Sequence, residues 1–110
     1  MYKSHETIMA EIGLAALDSL PEQRLVTGAY STADGDVCLV GAVGKLVDVW
    51  PATSCWPIAE AVASNYNLDA DTVVATLFEY IGLNDYTDAS GPENRFKVVK
   101  AVLEHKANAA

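Results

Sequence analysis

The sequence predicts a helix-dominated α+β domain: four to five helices packed around a small two-stranded antiparallel β-hairpin. Apolar residues recur at helical spacing in several stretches separated by cap and turn residues. A β-favouring segment, Leu25-Val26-Thr27-Gly28-Ala29-Tyr30, is followed by the turn signal Asp34-Gly35 and then by Val37 to Val40, which reads as a hairpin. The longest apolar run, Val37 to Val47, has to lie at the centre of so short a chain, so it is expected to be the second strand passing into a short buried helix. A two-stranded hairpin is marginal alone and needs helices on one face.

The helices follow in order. From Ser4 to about Leu20, Ile8, Met9, Ile12, Ala16, Leu17 and Leu20 share one half of a helical wheel; Ser4 is the expected cap and Pro21 follows the end. After Pro57 a short stripe of Ile58, Ala61, Val62 and Tyr66 predicts a helix ended by Asn65-Tyr66-Asn67. Asp69 or Asp71 is expected to cap the next, in which Val73, Leu77 and Ile81 are spaced by four with Val74 and Phe78 beside them. Gly82 is expected to end that helix, leaving Leu83-Asn84-Asp85-Tyr86 as an ordered turn. Ser90-Gly91-Pro92-Glu93 has capping-box spacing, and Phe96, Val99 and Leu103, flanked by Val98 and Val102, are the expected buried face of the last helix.

The 110 residues are expected to form one domain over 1–110, with 1–3 and 107–110 frayed. Apolar residues make up 51% and charged residues 20%, the balance of a chain that folds. The N-terminus turns polar early and no apolar stretch approaches the ~20 residues of a bilayer span, so neither secretion nor membrane contact is expected and the location is expected to be cytoplasmic. Cys38 and Cys55 are read as buried free thiols.

Charge constrains the partner. The formal charge is −8, with fourteen acids against three bases up to Glu93 and four bases against one acid from Arg95 onward. An acidic body repels phosphate backbones, so no direct nucleic-acid binding is expected.

Catalytic and ligand-binding motifs are mostly absent from the sequence. Gly41-Ala42-Val43-Gly44-Lys45 lacks the first glycine and the following hydroxyl of a P-loop, since Leu39 and Leu46 occupy those positions, and its middle residues are too apolar for an RNA clamp. Close packing explains both glycines. His5 and His105 lie at opposite ends of the chain without metal-ligand spacing, and no nucleophile-and-base motif is visible. No catalytic residue, metal or cofactor is assigned. The residues singled out for partner contact are Trp50 and Trp56, as hot-spot types that also suit a core, the acidic turn pair Asp34 and Asp36, and the polar pair Asn84 and Asp85, which also suit a helix stop.

Those segments carry a resemblance. Leu25 to Tyr30, Asp34 to Val43, then Asn84-Asp85 with Gly91 to Phe96 are similar to small proteins found in bacteriophage and bacterial genomes, over about two-thirds of the chain. Relatives usually show a Cys-Ala-Leu-Gly-Ala-like run, which Val40 and Val43 vary here. The resemblance implies a phage or mobile-element setting, hence the host cytoplasm, and no activity. The expected function is therefore a non-enzymatic, acidic accessory protein that binds a host or phage protein, such as a host-defence component of CRISPR type, by presenting carboxylates in place of phosphates. A small enzyme with a non-sequential site and a self-associating structural protein, a homo-oligomer, are the alternatives.

Overall fold

The computed structural model describes residues 3–87 and 90–108, and in these the protein is a bundle of five α-helices: α1 (His5–Asp18), α2 (Leu39–Leu46), α3 (Cys55–Tyr66), α4 (Ala70–Tyr86) and α5 (Pro92–Ala107). The expected α+β class is corrected to all-α. Among the described residues there is no strand, and the predicted hairpin reduces to an isolated antiparallel bridge between Ser31 and Val37.

The physical reason lies at the two ends of the supposed hairpin. Gly28 takes φ +79°, outside strand geometry, so the first segment cannot run straight. The second segment is claimed by the helix: Cys38 is the N-cap of α2, its Sγ accepting the Gly41 N–H at 3.4 Å. What remains is a loop folded on itself. Val26 donates to Val37 O at 3.0 Å, Thr32 donates to Asp36 O at 2.9 Å, and Gly35 donates back to Thr32 O at 3.0 Å.

The centre is α2, in which Leu39 to Gly44 are all buried. It packs against α1, α3 and α4, while α5 covers the other side of α1 and α3 lies along α4. Its glycines allow the chain to cross at backbone distance. A Cβ on Gly41 would sit 1.9 Å from the Tyr30 carbonyl oxygen, and one on Gly44 would sit 2.8 Å from that of Val49. Met9, Leu17, Leu25, Val73, Leu77, Val99 and Leu103 close the same apolar cluster around it, each worth roughly 1.5–3 kcal/mol when fully buried.

Helix ends explain several boundaries. Ser4 caps α1 by accepting the Thr7 N–H at 3.2 Å, and Asp69 caps α4 by accepting the Thr72 N–H at 2.9 Å. Asn67 closes α3 in the left-handed conformation, φ 55°. The capping box at α5 is not formed: Gly91 is the N-cap, and Ser90 Oγ accepts from Asn94 Nδ2 at 2.7 Å instead. Lys3 is tied to Glu11 at 2.8 Å, Ala107 is still helical and Asn108 caps α5, its N–H donating to Glu104 O at 3.1 Å; the rest of the expected fraying, at Met1, Tyr2, Ala109 and Ala110, lies outside the described residues.

The largest local correction is at Gly82. The helix does not stop there but runs to Tyr86, so the Asn84-Asp85 pair is helical and not a turn. Asn84 is wholly buried, and its carboxamide is shared by three segments. Oδ1 accepts the Leu39 N–H at 2.9 Å, and Nδ2 donates to Val26 O at 2.8 Å and to Asp85 Oδ1 at 3.0 Å. It therefore fixes the start of α2 and the entry of the loop to α4.

Two sets of substitutions test this arrangement by chemical denaturation. Asn84→Ala orphans the buried Leu39 N–H, at about 1–3 kcal/mol, and frees the part-buried Val26 C=O, while Asp85→Ala should stay within about 0.5 kcal/mol of the parent. Gly41→Ala should be strongly destabilising because backbone oxygen blocks its Cβ, whereas Gly82→Ala, whose Cβ meets only Tyr86 at 4.0 Å, should stabilise the helix by about 0.5–1 kcal/mol. Equal effects at the two glycines would contradict the fold.

Candidate functional site

The loop between α1 and α2 and the connection between α2 and α3 place three of the six singled-out residues, Asp34, Asp36 and Trp50, on or beside one recess. Leu20, Pro21, Glu22, Arg24, Asp34 to Val37 and Lys45 line a cavity of about 290 Å³. The tight turn at Thr32–Asp36 delivers Asp34 and Asp36. Arg24 spans the recess toward α5: its Nε lies 3.1 Å from Asp36 Oδ1, off line for a hydrogen bond, and its Nη1 lies 3.5 Å from Glu93 Oε1. Asp34 and Glu22 have no ion-pair partner among the described residues.

Lys45 joins this recess to Trp50. Placed in the last turn of α2 by the same helical register that buries Leu39 to Gly44, it carries its ammonium 4.7 Å from the Trp50 ring centroid. Such a contact is worth about 0.5–1 kcal/mol at an exposed site and orients the indole. Trp50 is 40% exposed and Trp56, in the first turn of α3, is 46% exposed. Neither tryptophan plugs the core. Exposing two of them six residues apart, one before α3 and one in its first turn, leaves large apolar faces in water, as binding anchors do.

Asn84 and Asp85 fall elsewhere. Asn84 is buried and engaged within the molecule, so it presents nothing to a partner. Asp85 borders a second recess, of about 250 Å³, with Gly28, Ala29, Tyr30, Cys38 and Ile81. Burial pushes the Cys38 thiol above its usual range; the amides of Gly41 and Val40 pull the other way, and the nearby Asp85 carboxylate adds to the rise. The Tyr30 hydroxyl is raised as well, first by burial and then by Cys55 and Cys38 beside it. A protonated, capped thiol is a poor nucleophile. The histidines are distant in role: His5 shares a 2.8 Å hydrogen bond with Thr76, and His105 lies on α5. Both cysteines are free and buried. Among the described residues no three His, Cys, Asp or Glu side chains converge as a metal set, and no helix is long and apolar enough to cross a membrane.

Sequence reasoning missed Arg24, Lys45 and Glu22 as walls of the first recess. Lys45 had one signal, being the single charge in an otherwise apolar run; Arg24 had none, since its partners Asp36 and Glu93 are remote in the chain. Phe78 and Val98, expected against the core, are 59% and 40% exposed.

The thiols provide a test of the second recess. In the folded protein at neutral pH, Cys38 and Cys55 should alkylate far more slowly than a free thiol, and both should react at the free rate in denaturant. Rapid native-state modification of Cys38, located by peptide mass, would show an activated thiolate in that recess.

No protein-family model, no curated protein and no solved structure matches this chain, so its reading rests on its own residues.

Proposed function

We propose that this chain is a non-enzymatic binding protein, engaging a basic protein partner through Trp50, Trp56 and the acid-bearing recess that Lys45 joins to Trp50. The observation that carries the reading is the pair of exposed indoles, Trp50 on the connection between α2 and α3 and Trp56 in the first turn of α3, the former steadied by Lys45 at the edge of that recess. Tryptophan anchors supply affinity at the centre of an interface, and flanking carboxylates steer a cationic partner toward it. The net charge of −8 favours such a partner and disfavours nucleic acid itself. In the phage or mobile-element setting that the sequence resemblance implies, a host-defence protein with a nucleic-acid channel has the required chemistry. The recess at Tyr30, Cys38 and Asp85 is where the rival reading, a small enzyme, would have to act; the protonated state of Cys38 speaks against a thiolate nucleophile there.

The test is capture of partners from a bacterial lysate by the parent chain and by Trp50→Ala, Trp56→Ala and Asp34→Lys variants. A captured protein should be released by rising salt and by added nucleic acid. Loss of one indole anchor at about 2 kcal/mol weakens binding roughly 30-fold. Capture indifferent to all three substitutions and to salt contradicts the proposal.

A further inference from the structure

We propose that the recess between the α1–α2 loop and the C-terminal end of α4 takes up a short primary alkylammonium group, paired with the carboxylate of Asp85. Gly28, Ala29, Tyr30, Cys38, Ile81 and Asp85 line this cavity of about 250 Å³, and none of them belongs to the tryptophan surface or to the first recess. The volume is below that of sites for drug-sized molecules, so the group it holds is small. Gly28 and Ala29 are exposed at the rim, Tyr30, Ile81 and Asp85 are half-buried, and Cys38 is buried. A side chain on Gly28 would meet nothing within 4 Å, so the mouth stands open.

Charge names the ligand. Asp85 is the one carboxylate among the six lining residues, and burial keeps the other two titratable groups, the Tyr30 hydroxyl and the Cys38 thiol, protonated and neutral. Asp85 has no ion-pair partner among the described residues, so the recess holds an uncompensated negative charge against walls that are otherwise neutral. The carboxylate is also fixed in place. Asn84, wholly buried, donates from Nδ2 to Asp85 Oδ1 at 3.0 Å, and the same carboxamide ties down the other two walls through Val26 O in the loop and the Leu39 N–H next to Cys38. Walls set before a ligand arrives lower the ordering cost of binding it. Oδ1 is engaged by Asn84 while Oδ2 accepts no hydrogen bond among the described residues. One open oxygen suits the point charge of an ammonium, whereas the fork of a guanidinium wants two. Ile81, one helical turn before Asp85 on the same face of α4, and Ala29 on the loop supply apolar surface for a short alkyl chain. An anionic ligand is repelled by Asp85, and a neutral alcohol forgoes the charge-assisted hydrogen bond.

The experiment is a titration of the isotope-labelled full chain followed by its amide spectrum at constant ionic strength, with n-butylammonium, n-butanol and butyrate as probes. The ammonium should shift the amides of Gly28, Ala29, Cys38 and Asp85 saturably, in the millimolar range that so small a ligand reaches. The alcohol should bind roughly 10-fold more weakly or worse, and butyrate should leave the spectrum unchanged. Asp85→Asn keeps the shape of the recess and should weaken n-butylammonium binding roughly 10- to 100-fold, while Ala29→Phe at the exposed rim should block the mouth. Amide spectra matching the parent away from the recess certify the fold of each variant. Lysine blocked at its α-amine and its carboxyl separates the two sources of such a group: binding as tight as that of n-butylammonium assigns the recess to a lysine side chain of a peptide, and weaker binding assigns it to a free amine. Shifts that do not saturate, that gather at Trp50 and Trp56, or that are equal for the alcohol or for Asp85→Asn overturn the proposal.

Discussion

The carboxamide of Asn84 is the interaction on which the arrangement depends. A side chain buried without exposure has to have its polar atoms satisfied, and here both are satisfied by backbone groups from segments 45 and 58 residues away. Through Oδ1 it acts as a remote cap for the first amide of α2; through Nδ2 it anchors the loop at Val26. The work of a hairpin ladder is therefore done by one side chain, one bridge and a tight turn, and the loop so held carries Asp34 and Asp36 to their recess.

From that anchor the recognition surface follows in two steps. With the start of α2 fixed, its eight residues set the direction of Lys45 in the last turn, and Lys45 in turn holds Trp50. Gly41 and Gly44 permit the Tyr30 and Val49 carbonyls to press against the helix, so the segments before and after α2 leave it at fixed places. The acidic turn and the tryptophan connection are thus exposed but not independent: both are braced on one buried helix, which preorganises them for a partner and lowers the ordering cost of binding.

Much of the helical frame could be read from the residues in order, because it depends on local spacing. Ser4 and Asp69 cap where expected, and Met9, Leu17, Leu77, Phe96 and Leu103 are buried as their periodicity requires. The departures share one cause, that non-local contacts outweigh local preference. Val37 to Val40 is an apolar run too short for its period to separate strand from helix, and the Cys38 cap with the Asn84 bond decides for helix at Leu39. Gly82 has the look of a helix stop, yet α4 continues because Asn84 and the α2 contact reward another turn. The recess around Arg24 joins residues from three distant segments, and no spacing along the chain announces it. The exposure of Trp50 and Trp56 likewise depended on where their connection lies, which composition does not tell.

The anchor can be tested at a single amide. Leu39 opens α2, a position whose N–H ordinarily has no helical partner and exchanges readily with solvent. Glu93, in the first turn of α5 behind a glycine cap with no side-chain acceptor, is the internal reference. Residue-resolved hydrogen exchange should find the Leu39 amide protected close to the level of the buried core, with Glu93 exchanging many-fold faster. A Leu39 amide that exchanges as fast as that of Glu93 would contradict the role assigned to Asn84.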